Sequence, residues 1–131
     1  MLYFAYGSNL NHFQMKRRCK DSIFLKKIIL KGFRLTFRNM YADIEHKKNS
    51  IIQGALFEIS KSDEKKLDVY EDYPTMYRKH YFTHFKEKVL TYTMVNKSKF
   101  TYPSEGYLNT IKKGYKDTNI NIKLLFKALK N

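Results

Sequence analysis

Tyr3-Phe4-Ala5-Tyr6-Gly7-Ser8-Asn9-Leu10 decides how this chain is read. The apolar run over residues 2–6 has the composition of a buried strand. It stops on Gly-Ser-Asn, and residues 11–18 then have the composition of a helix, capped by Asn9 or Asn11. A strand that turns directly into a helix leaves several backbone N–H groups unpaired and aimed at one point, beside the positive end of the helix dipole. Such a corner holds a carboxylate or phosphate without a charged side chain. Gly7 suits it, because a residue without Cβ permits positive φ and close approach of a ligand to the backbone. The same residues also describe an ordinary strand-to-helix turn capped by Asn or Ser.

The 131 residues are enough for one domain with a real core, and the chain is read as a single domain over residues 1–131. With 43% hydrophobic and 16% aromatic residues it is not a disordered chain. No apolar run reaches the roughly 18 residues of a membrane span. The N-terminus has no basic leader followed by an apolar core, so a cytoplasmic protein with no membrane partner is expected. The single cysteine, Cys19, can close no internal disulfide, which fits a reducing compartment. The net charge of +14 points toward nucleic acid. Of the 26 basic residues, however, only five are Arg, the residue suited to forked phosphate and base readout, and the lysines are spread along the whole chain. The charge is read as a generic basic surface, with no specific nucleic acid as partner.

Residues 28–38 alternate at Phe33, Leu35 and Phe37, a strand in which Gly32 marks a bend or close packing. Residues 39–49 are polar and loop-like, and residues 50–59 form another strand with Gly54 at its centre. Ser60 or Ser62, followed by Asp63 and Glu64, starts a helix running to about Tyr70. Residues 77–85 and 88–95 pair as a hairpin across Lys86-Glu87. Pro103-Ser104 opens a helix through Lys113, with Gly114 as its terminating glycine, and residues 121–129 form a last amphipathic helix. The class is α+β, with a curved, barrel-like sheet.

Leu67-Asp68-Val69-Tyr70-Glu71-Asp72-Tyr73-Pro74 is the second stretch with chemical content. Three carboxylates fall within five residues at a helix end, where the dipole disfavours negative charge. Glu71 lies between Tyr70 and Tyr73, and partial burial there would raise its pKa and suit it to proton transfer. A solvated acidic turn is the plain alternative, and Asp68 has its own in a hydrogen bond to a nearby backbone N–H. His80 and His84 share a strand face but lack the further ligands of a metal site. Ser8 is not in a Gly-x-Ser-x-Gly elbow, and no phosphate-binding glycine loop is present.

Four fragments occur in order: Tyr3-Phe4-Ala5-Tyr6-Gly7-Ser8-Asn9-Leu10, Gly54-Ala55-Leu56-Phe57-Glu58-Ile59, Leu67-Asp68-x-x-Glu71, and Pro103-Ser104-x-x-Tyr107-Leu108. In this the chain resembles the γ-glutamylcyclotransferases over nearly its whole length. The resemblance implies a small mixed β-barrel with flanking helices. It implies a reaction that releases 5-oxoproline and a free amine or amino acid from a γ-glutamyl compound, with no cofactor and no metal. It assigns the γ-glutamyl group to Tyr6, Gly7, Ser8, Asn9 and Leu10, the catalytic acid and base to Glu71, and pocket-lining roles to Tyr77 and Tyr107. Core packing is the other role open to those two tyrosines. The Ser8-Asn9-Leu10 form of the first motif matches the branch acting on γ-glutamyl amino acids and amines.

Where the family usually has Gly after the catalytic Glu, this chain has Asp72. Its carboxylate would either raise the pKa of Glu71 by repulsion or point to solvent. The identity of the leaving amine has no signature here, and a homodimer is left open. Two other function classes are carried beside the enzyme: a binding module that keeps the γ-glutamyl pocket without turnover, and a basic nucleic-acid-binding domain.

Overall fold

The expected first strand, β1 (Leu2–Ala5), lies at the middle of a five-stranded sheet of order β2-β3-β1-β5-β4 in a computed structural model that describes residues 1–130. β1 pairs antiparallel with β3 (Tyr41–Glu58) and parallel with β5 (Glu87–Met94). A strand covered on both sides must be apolar throughout, and Tyr3, Phe4 and Ala5 are all buried. The outer strands are β2 (Ile23–Arg38), antiparallel to β3, and β4 (Tyr77–His84), antiparallel to β5. Among the described residues β2 and β4 have no strand partner on their outer sides, apart from one isolated bridge of Arg38 to Phe100, so the sheet is open where a closed barrel was expected; the α+β class holds.

The β2–β3 hairpin corrects the reading of residues 39–49 as a loop. β3 runs unbroken from Tyr41, and the turn is the two residues Asn39 and Met40, both at positive φ (51° and 68°). That geometry matches the twist of the flanking strands. β2 starts five residues earlier than expected and carries bulges at Phe24/Lys26 and Lys31/Phe33, the second at Gly32 with φ +81°. The far half of the hairpin leans back over the sheet. Asp43, fully buried, accepts from the Met94 N–H of β5 at 2.9 Å and pairs with Arg38 and Lys97. Phe33 meets His80 of β4 edge-on at 5.8 Å, so that histidine packs against an aromatic ring.

Among the described residues four helices flank the sheet. α1 (His12–Arg18) is capped by Asn11, whose side chain accepts from the Gln14 N–H. α2 (Lys61–Tyr70) begins at a complete capping box between Ser60 and Asp63 and ends at Glu71. α3 (Glu105–Thr118) is capped by Ser104 and continues four residues past Gly114, to stop at Asn119 in the left-handed region (φ 59°). Gly114 is therefore not the terminator. It is buried where α3 crosses the first turn, and a Cβ there would lie 2.6 Å from the Leu10 carbonyl carbon and the Asn11 nitrogen. α4 (Lys123–Lys130) packs beside β2. A core of Phe4, Leu10, Met15, Phe37, Ile44, Leu67, Leu90 and Ile111 joins helices to sheet. Among the described residues no helix is long and apolar enough to cross a membrane.

Candidate active site

Between the end of β1, the end of α2 and the start of α3 lies a cavity of about 190 Å³. Tyr6, Gly7, Ser8, Asn9, Glu71, Tyr77 and Tyr107 line it, which brings together every residue that the resemblance assigns to the site except Leu10. Leu10 is fully buried in the core, under α3. It shapes the turn and faces no ligand space. Tyr3, Tyr41, Ala42, Tyr70, Met76 and Tyr92 complete the wall.

Ser8–Leu10 forms a single 3₁₀ turn between β1 and α1, closed by the Leu10 N–H to the Gly7 carbonyl at 3.0 Å. The N–H groups of Gly7, Ser8 and Asn9 have no acceptor among the described residues. A 3₁₀ turn consumes no donors at its start, and these three are left beside the cavity. The φ of Gly7 is −119°, so the expected need for positive φ does not arise. What requires glycine is space: a Cβ would sit 3.1 Å from the Ala42 Cβ and 3.4 Å from the Tyr107 hydroxyl.

The side chains of the turn are occupied within the protein. The Ser8 and Tyr70 hydroxyls share a hydrogen bond of 2.8 Å. Asn9 donates to the Tyr3 hydroxyl at 3.0 Å and accepts from Arg18. Tyr6 donates to the Tyr92 carbonyl at 2.6 Å, and Tyr92 in turn donates to Asp68 at 2.6 Å. Asp68 also pairs with Lys79, so its partners are side chains, and no neighbouring N–H is involved. With side chains engaged in this way, the backbone donors are what the turn presents to a ligand.

Glu71 caps the C-terminus of α2, its N–H bonded to the Leu67 carbonyl at 2.8 Å. Its half-buried carboxylate makes no hydrogen bond or ion pair among the described residues. Burial pushes its pKa up to about 7, while the nearby Arg18 pulls it down. The burial comes from the tyrosine-lined cavity. Tyr73, the expected neighbour, is exposed and lies under the Lys79 ammonium. Asp72 is exposed at φ 51° and plays no part in the shift, so of the two expectations for it the solvent-facing one holds. Seven of the thirteen lining residues are tyrosines, and Tyr3, Tyr6, Tyr77 and Tyr107 are all pushed upward chiefly by burial. Glu71 is thus the one group on the wall able to gain and lose a proton near neutrality. Among the described residues no three His, Cys, Asp or Glu side chains converge as metal ligands.

Sequence reasoning missed Tyr41, Ala42, Met76, Tyr92 and Arg18. The first two lie in the segment read as a loop, and Arg18 reaches the site through contacts across three elements that no local spacing displays.

The open α+β sheet with its flanking helices is a fold shared with solved structures of γ-glutamyl cyclotransferases. A solved gamma-glutamyl cyclotransferase superposes with a TM-score of 0.81 at 24% identity, over 97% of this chain and 85% of that one. YkqA from Bacillus subtilis gives 0.81 at 21% identity, over 100% of this chain and 54% of the other. An AIG2-like protein from Mus musculus gives 0.59 at 19% identity, over 82% and 81%. Residues 3–114 match the family described as Gamma-glutamyl cyclotransferase, AIG2-like, and the chain belongs to that family. No curated protein sequence matches it.

Proposed function

We propose that this chain cyclises a γ-glutamyl amino acid or amine to 5-oxoproline and releases the free amine, with Glu71 as general base and then general acid. The observation that carries the reading is the unpartnered Glu71 carboxylate, its pKa near 7, sharing one small cavity with the free N–H groups of Gly7, Ser8 and Asn9.

The chemistry follows from those two features. The substrate's α-ammonium gives a proton to the Glu71 carboxylate, and the freed nitrogen attacks the γ-carbonyl carbon of the same molecule. A C–N bond closes a five-membered ring, and the carbonyl oxygen takes the electron pair as an oxyanion. The turn N–H groups stabilise that charge. Protonated Glu71 then delivers its proton to the departing nitrogen as the original amide C–N bond breaks, and the ring nitrogen passes its second proton through the re-ionised carboxylate to the released amine, leaving 5-oxoproline, the amine as its ammonium ion and an ionised Glu71. Ring closure is intramolecular, so a cavity that keeps the glutamyl chain curled supplies much of the acceleration. The phenols of Tyr3, Tyr6, Tyr77 and Tyr107, kept protonated by burial, line the cavity without competing for the proton.

Mass spectrometry of a γ-glutamyl panel incubated with wild type and with Glu71→Gln tests this. Wild type produces 5-oxoproline and the variant, still folded, produces none. Ligand-induced thermal stabilisation of the wild type without product would assign the pocket to binding alone.

A further inference from the structure

Arg18 makes three contacts at the cavity without lining it. Its guanidinium donates to the Asn9 side-chain oxygen and, at 3.4 Å, to the Ser8 hydroxyl. The same group sits over the Tyr70 ring, its central carbon 3.3 Å from the ring centre. Ser8 and Asn9 belong to the donor-bearing turn, while Tyr70 is the last residue of α2 and adjoins Glu71. The Ser8–Tyr70 hydrogen bond closes the circuit. No carboxylate pairs with Arg18 among the described residues, so its charge is not neutralised locally.

We infer that Arg18 is a positioning residue for the γ-glutamyl reaction, a clamp that fixes the turn donors relative to the Glu71 carboxylate. The inference rests on the cyclotransferase reading above. Two elements that meet only through side chains can shift against each other, whereas in-line attack and oxyanion capture require both in register. A planar fork that hydrogen-bonds through its edge and stacks through its face can hold both at once. A lysine can supply only a point charge. The clamp has an electrostatic consequence as well. The titratable groups facing Glu71 are the neutral phenols of Tyr3, Tyr6, Tyr70, Tyr77 and Tyr107, and Arg18 is the cation that favours its ionised form.

Steady-state kinetics against pH for wild type, Arg18→Lys and Arg18→Gln, with thermal melts of each, separates these effects. Arg18→Gln loses on the order of 10²-fold in kcat, and the ascending limb of its kcat/KM profile moves to higher pH because the cation is gone. Arg18→Lys keeps that limb near its wild-type position yet still loses kcat, because the charge survives and the fork does not. A merely structural arginine would lower the melting temperature and leave the pH limb in place. If folded Arg18→Gln, or folded Arg18→Lys should Gln not fold, retains kcat within twofold of wild type, the clamp is overturned while the cyclotransferase reading stands. If the wild type gives no 5-oxoproline from the panel, that reading falls and the inference with it.

Discussion

Tyr77 and Tyr107 hold the two ends of a single residue. The Tyr77 hydroxyl donates to the Ala42 carbonyl at 2.6 Å, and the Tyr107 oxygen accepts from the Ala42 N–H at 3.1 Å. Tyr77 comes from β4, Tyr107 from α3 and Ala42 from the leaning half of the β2–β3 hairpin. One residue thereby joins three elements at the cavity wall, and lining the pocket and supporting the fold are one job for these tyrosines.

Tyr77→Phe keeps the ring and removes the donor, which leaves the buried Ala42 carbonyl without that partner. A loss of about 1–3 kcal/mol in unfolding free energy is expected from urea denaturation. Tyr107→Phe strips the partner from the N–H and costs a similar amount. Because both act on one residue, the double variant loses less or more than the sum of the two by at least about 0.5 kcal/mol. Strict additivity would show that the two bonds are independent.

The turn and the Glu71 carboxylate were legible because each is a local signal: a strand stopping on Gly-Ser-Asn, and a capped helix ending in Tyr70-Glu71. Their convergence was legible only through the family resemblance. Residues 39–49 were misread because the hairpin turn is Asn39-Met40 where a glycine is the usual cue, and because Asp43 occupies a buried strand position. Its charge is met by Arg38 and Lys97, partners that lie far along the chain or across a tight turn. Gly114 was misread for a related reason. A glycine near a helix end signals termination, yet this one serves the close passage of α3 over Leu10.

Glu71 makes stability depend on pH in the direction opposite to an ordinary ion-paired carboxylate. Its pKa is near 7 in the folded chain against the usual 4.5, so the native state binds more protons between those values. Stability therefore falls as pH rises from 4.5 to 7, by at most about 3 kcal/mol. Urea melts of wild type and Glu71→Gln across pH 4 to 8 (about the span of the two ionisations) should show the difference between them growing with pH, with the Gln variant the more stable above 7. Parallel profiles would remove the buried-carboxylate assignment. On the proposed role of Glu71, the same ionisation should put the ascending limb of kcat/KM at about 7.

Gly114→Ala sets helix propensity against contact. In an open helix the change would stabilise by about 1 kcal/mol. Here the new Cβ meets the Leu10 carbonyl carbon, the Leu10 Cβ and the Asn11 nitrogen, each at 2.6 Å, and backbone atoms cannot swing aside. α3 must lift away from the turn that carries the donors. Overpacking of this kind costs about 1–3 kcal/mol, so the net effect is destabilising and 5-oxoproline formation falls with it. A variant as stable as wild type would show that α3 accommodates freely.

Asp72→Gly tests the departure from the resemblance that lies beside Glu71. Asp72 stands at φ 51°, a conformation that disfavours residues with a Cβ, and this gives the customary glycine a backbone reason. Relief of that preference is opposed by the greater freedom of glycine in the unfolded chain. The expected change in unfolding free energy is therefore below about 1 kcal/mol. The carboxylate is exposed and exerts no pull on Glu71, so the pH profile of turnover should not move when it is removed. Asp72→Val keeps neither the freedom of glycine nor the tolerance of Asp for left-handed backbone, and it should lose about 1–2 kcal/mol at the same site. If Asp72→Gly instead shifts the ascending limb of kcat/KM to lower pH, the Asp72 carboxylate acts on Glu71 after all. The glycine of the relatives would then be tuning the base as well as shaping the turn.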